Sequence, residues 1–163
     1  MSKTLKAIAA FQILSITMVL GSLLLLVEGE AAGIPVTTNA VYGLMYLGVV
    51  GAGVCLWREM AIGIPLSIMA QGLQLVTFDI VRVAYRFTGV VDFFIYFRAG
   101  EGLGLDAYVG ARYAWHIYDE AGPMMIGINV VALACLSLLV RGLRPTSPSD
   151  EAVPTSGTGH RAV

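Results

Sequence analysis

Ser67, Gln71, Gln74, Asp79, Arg82 and Arg86 recur at spacings that, at about 100° per residue, gather all six within less than half of a helix circumference. Most of the residues between them are apolar. At the centre of a lipid-embedded helix an Asp or Arg costs about 2.5–3.5 kcal/mol on insertion, so such a stripe is expected to face a bundle interior or a water-filled cavity. Asp79 and Arg82 stand three apart and can pair on one helix face. The pair either fastens its helix to a neighbour or ends a polar path. Gln71 and Gln74 lie deeper and offer neutral donors and acceptors. Asn129 from a later apolar segment completes the expected cavity set of Gln71, Gln74, Asp79, Arg82 and Asn129. Gln12, Ser15 and Ser22 cluster on one side of the first apolar segment, where interhelical hydrogen bonding is their first reading.

A second constellation is Arg112, His116 and Asp119, at helical spacing, with Glu120 beside them. Imidazole next to a carboxylate suits proton transfer or metal ligation. Zinc wants three or four ligands, and no H-E-x-x-H is present, so no metal is expected here. A solvated polar face on an interfacial helix is the plainer expectation. Cys55 and Cys135 are too far apart to make a C-x-x-C redox pair. Gly100, Gly102 and Gly104 alternate with Glu101 and Leu103 and follow no strand of a βαβ unit, so they make no phosphate cradle. No nucleophile elbow, Walker loop or dinucleotide fingerprint occurs, and no cofactor is expected.

These side chains must be positioned by elements suited to lipid. Of the 163 residues, 57% are hydrophobic and 13% are charged. A soluble domain carries about 25% charged residues to solvate its outside. Four stretches are apolar for about the length that crosses a hydrocarbon core of about 30 Å: 5–27, 40–57, 61–84 and 123–140. The sequence therefore predicts an all-α integral membrane protein, a bundle of four transmembrane helices forming one domain over 1–144. The first stretch exceeds a cleavable signal's apolar core, and Glu28-Gly29-Glu30-Ala31 is a poor cleavage site, so an uncleaved helix is expected. Gly48 and Ala52 have the small-xxx-small spacing that lets helices approach closely.

Nearly forty residues separate the third and fourth stretches, too many for a structureless loop. An outer interfacial helical cap is expected over about 88–120. It holds the apolar run 90–97 and a helical stretch over 105–118 whose Tyr108, Tyr113, Trp115 and Tyr118 suit the headgroup boundary. Residues 145–163 are rich in Pro, Ser, Thr and Gly and read as a disordered cytoplasmic tail. Lys3, Lys6, Arg58, Arg141 and Arg144 flank one side, against Arg86, Arg98 and Arg112 on the other. That bias predicts a plasma (inner) membrane protein with both termini cytoplasmic.

The net charge of −1 and the lack of a basic run argue against nucleic acid. The partners expected are the bilayer and a membrane-protein partner or second copy. Quinone-linked disulfide oxidoreductases would need paired redox cysteines, and small multidrug exporters an acid in the first helix; neither feature is present. Three functions fit these features. The foremost is a non-enzymatic scaffold, assembly factor or accessory subunit binding a protein or lipid. The second is an oligomeric channel or transporter protomer with a polar path along the third helix. The third is an outer-face enzyme acting on a lipid or quinone through His116 with Asp119 or Glu120.

Overall fold

The computed structural model of the protein describes residues 2–17, 20–21, 36–110, 113–117 and 124–143. Among them are four α-helices: α1 (Lys3–Leu14), α2 (Val36–Trp57), α3 (Gly63–Leu75) and α4 (Val130–Gly142). Six strands accompany them: β1 (Val76–Ile80), β2 (Val83–Phe87), β3 (Val91–Arg98), β4 (Gly102–Val109), β5 (Tyr113–Ile117) and β6 (Met125–Asn129). The strands form one sheet, antiparallel throughout, in the order β4-β3-β6-β1-β2-β5.

This overturns the all-α expectation. Among the described residues a single helix, over Ala40–Trp57, is long and apolar enough to cross a membrane, so the four-span, multi-pass bundle with its helical cap does not stand. The stretch 61–84 is helical only to Leu75, where β-branched and aromatic residues (Val76, Thr77, Phe78) turn the chain into β1. The stretch 123–140 begins as β6 and becomes helical only at Val130. Residues 91–109 of the expected cap are the hairpin β3–β4, and 113–117 are β5. The rest of the first stretch beyond residue 21 and the tail over 145–163 lie outside the described residues.

The helices pack in cyclic order, α1 on α2, α2 on α3, α3 on α4 and α4 back on α1. On α2 the buried positions Tyr42, Tyr46, Val49, Ala52 and Leu56 make one stripe at helical spacing. Its opposite side, with Val41, Leu44, Leu47 and Trp57, is exposed. Gly53 is where α1 comes closest, since a Cβ there would stand 2.8 Å from Gln12 Cβ and 2.9 Å from the Ala9 carbonyl oxygen. Gly48, expected at a tight helix contact, faces open space. The helix ends in a Schellman motif: Met60 N–H donates to Cys55 O at 3.0 Å and Glu59 N–H to Leu56 O at 3.1 Å, with Glu59 at φ 58°.

Two apolar clusters hold these elements together. Tyr42, Tyr46, Val49, Ala52, Ala70 and Phe87 join α2 and α3 to β2, while Ile8, Ala9, Leu56 and Leu139 join α1, α2 and α4. At the first, the Phe87 ring lies 4.7 Å from that of Tyr46 and 6.0 Å from that of Tyr42. Tyr46 Oη also donates to the buried Thr88 carbonyl at 2.7 Å.

The sheet is curled. Its two edge strands, β4 and β5, are consecutive in the chain and are joined by residues 110–112 alone. That link holds Val109 and Tyr113 within about 15 Å, whereas six strands laid flat would set their edges about 24 Å apart. The Arg86 guanidinium of β2 lies 6.0 Å from the Phe94 ring centroid of β3, reaching past the two intervening strands β1 and β6. The concave face holds the buried residues Asp92, Phe94, Met125 and Asn129.

Candidate functional site

Polar side chains are enclosed in two adjoining places. The first lies between α1 and α3. Ser67, Gln71 and Gln74 follow one another at i, i+4 and i+7 on the buried side of α3, at 0, 1 and 2% exposure. Ser67 Oγ donates to Gln12 Oε1 of α1 at 2.9 Å. Four amide atoms then lack a hydrogen-bond partner among the described residues: Gln12 Nε2, both polar atoms of Gln71, and Gln74 Nε2. Each unpaired buried donor or acceptor costs about 1–3 kcal/mol, so this row is primed for a water or a polar solute. Gly89 makes room for it, because a Cβ there would stand 2.8 Å from Gln74 Oε1.

The second is the concave face of the sheet. The register puts Thr77 and Asp79 of β1, Arg86 of β2, Asp92, Tyr96 and Arg98 of β3, Asp106 of β4 and Asn129 of β6 on this one face. Thr77 Oγ1 donates to Tyr85 O at 3.0 Å and accepts from Arg86 Nε at 3.4 Å. Arg98 pairs with Glu101 at 2.9 Å and lies 5.5 Å from the Tyr96 ring centroid. The absence of a side chain at Gly127 keeps the centre open, for a Cβ would meet Thr77 Cγ2 at 2.9 Å and Tyr96 Cβ at 3.0 Å.

The expected cavity residues are thus divided between helix and sheet. Gln71 and Gln74 share the buried face of α3, while Asp79 lies one element on, half-buried in β1, with Oδ1 unpartnered among the described residues. Arg82 is exposed in the turn between β1 and β2, and no ion pair joins it to Asp79 among the described residues. Asn129 is the N-cap of α4, its Oδ1 accepting from Val131 N at 3.0 Å and Ala132 N at 3.3 Å. The helical stripe from Gln71 to Arg86 therefore does not exist as one face.

Of the second expected cluster, Arg112, Asp119 and Glu120 lie outside the described residues. His116 is in β5, opposite Ala84, so helical spacing no longer groups it with them. Sequence reasoning missed Asp92, Tyr96, Arg98 and Asp106 as inward polar groups. The signal was period two: in Val91–Arg98 the exposed positions are Val, Phe, Ile and Phe, while the buried or half-buried ones are Asp, Phe, Tyr and Arg.

No protein-family model matches the chain, and no curated protein or solved structure is similar to it.

Proposed function

We propose that this protein is a non-enzymatic component of the plasma membrane, a scaffold, assembly or accessory subunit that binds a lipid or a partner protein. The observation that carries the reading is α2. Over Ala40–Trp57 it is apolar for a bilayer's length, and only a third of that stretch is buried inside the protein. The core helix of a soluble protein would be covered; here Leu44 remains 68% exposed. Alkaline extraction of cell membranes containing the full chain tests this. The protein is expected to stay in the pellet, and cross-linking in intact cells is expected to trap a lipid or a protein beside α2. Recovery in the soluble fraction without detergent would contradict the reading.

A second reading, passage of a small solute or ion, is favoured by the unpaired amides of Gln12, Gln71 and Gln74. It predicts potassium or proton flux in vesicles above the protein-free level and a fall with Gln71→Leu. Flux equal to that of empty vesicles removes it. The third expectation, an outer-face enzyme, has lost the shared helix on which His116 was grouped with Asp119 and Glu120.

A further inference from the structure

The sheet sorts its residues the wrong way round for water. By register, the outward positions of β1, β2, β3, β4 and β6 carry no charged side chain, whereas Asp79, Arg86, Asp92, Arg98 and Asp106 all fall at inward positions. On β3, β4 and β6 exposure follows the same division. Leu103 and Leu105 are 81 and 66% exposed, and Ile95, Phe97 and Ile128 are each close to half exposed, while Asp92 is 1% exposed. An antiparallel sheet with one face in water places its polar residues on that face and its apolar ones on the core. The opposite assignment, apolar outward and polar inward at a period of two, belongs to sheets whose outer face meets lipid.

We infer that the convex face of the sheet is immersed in acyl chains, and that the curled sheet shields its charged side chains from them. The inference rests on the membrane location proposed above and extends it from one helix to the sheet. Two observations favour acyl chains over a protein partner. The apolar face runs without a polar border onto the helices: exposed Met69 and Leu73 of α3 lead to Val76 of β1, and exposed Ile128 of β6 leads to Leu133 of α4. A protein-binding patch is instead bounded by a polar rim. The face is also the convex side of the curled sheet. The strands have 5–8 residues, about 17–26 Å at 3.3 Å per residue, so the sheet fills part of a core about 30 Å deep.

Spin labels on the full chain, in vesicles of phosphatidylcholine and phosphatidylglycerol, test the inference. On a background of Cys55→Ala and Cys135→Ala, single labels are placed at Leu103→Cys, Leu105→Cys and Ala107→Cys, outward on β4, and at Asp106→Cys and Tyr108→Cys, inward. Leu44→Cys and Leu47→Cys report on α2. Collisions with oxygen, which concentrates in lipid, are compared with collisions with a water-soluble nickel chelate. The expected result is a reversal of preference from one β4 residue to the next, oxygen at 103, 105 and 107 and less oxygen at 106 and 108. If the outward β4 labels favour the chelate while the α2 labels favour oxygen, the sheet stands in water and the inference falls, leaving the membrane location intact. If the α2 labels favour the chelate as well, both fall. Outward β4 labels immobilised and closed to both reagents would place protein on the face and overturn the inference.

Discussion

The helices and the sheet enclose polar groups of different kinds. Between α1 and α3 the enclosed groups are neutral, Gln12, Ser67, Gln71 and Gln74, and each is at most 2% exposed. Within the curled sheet they include Asp79, Arg86, Arg98 and Asp106, all only half-buried, with Asp92 deeper. The difference follows from desolvation. A carboxamide can be closed off entirely for a few kcal/mol, whereas a full charge costs far more unless it is paired or keeps some water. A closed helical interior therefore carries amides, and a sheet face that leaves its groups partly exposed can carry carboxylates and guanidinium groups. Outside, the two regions agree: Leu44 and Leu47 on α2 and Leu103 and Leu105 on β4 are alike in being apolar and exposed.

The sharpest way to break the comparison is to uncouple the two regions. Phe87, fully buried against Tyr42 and Tyr46, is the outer-face residue of the sheet that enters the helical core. Phe87→Ala is expected to cost about 3–5 kcal/mol in denaturant unfolding, with helical and tertiary signals lost together. Loss of the tertiary signal alone would mean that the regions fold separately. Leu105→Arg comes next, with a loss of about 2–4 kcal/mol in bilayers if the position lies near mid-depth and less towards the interface. A sheet in water would tolerate it without measurable loss.

Two smaller effects sharpen the contrast between amides and charges. Gln71→Leu removes two unpaired buried atoms at similar volume and is expected to raise stability by about 1–3 kcal/mol in the same unfolding assay. A loss of stability instead would show that Gln71 is satisfied by bound water or solute. Asn129→Ala deletes the cap of α4, where sheet passes into helix, and is expected to cost about 1 kcal/mol. Native-state amide exchange should show that cost at Val131 and Ala132 first.

Much of the helical region could be read from the residues. The run 40–57 is apolar for a full span, and Ser67, Gln71 and Gln74 mark one face at i, i+4 and i+7. The sheet escaped because length and hydropathy do not distinguish a helix from a helix that runs straight into a strand. The stretch 61–84 has the right number of apolar residues, and nothing like a proline or a glycine pair interrupts it at Leu75. Only the β-branched pair Val76-Thr77 and the alternation in Val91–Arg98 betrayed the change of period. The run 90–97 reads by composition as apolar and interfacial, and His116 groups with Arg112 only through a helical spacing that β5 does not have. The polar interior was therefore expected on one helix, when half of it belongs to a sheet.

Photolabelling from within the bilayer bears most directly on the claim that the apolar outside of both regions lies in acyl chains. The full-length protein would be placed in vesicles containing a phospholipid with a diazirine on its acyl chain, irradiated, and mapped by mass spectrometry. Labels are expected on Leu44 and Leu47 of α2 and on Leu103, Leu105 and Ile128 of the sheet, with Gln71 and Asp92 spared. Labels absent from β4 and β6 while present on α2, or absent from both regions, would contradict it.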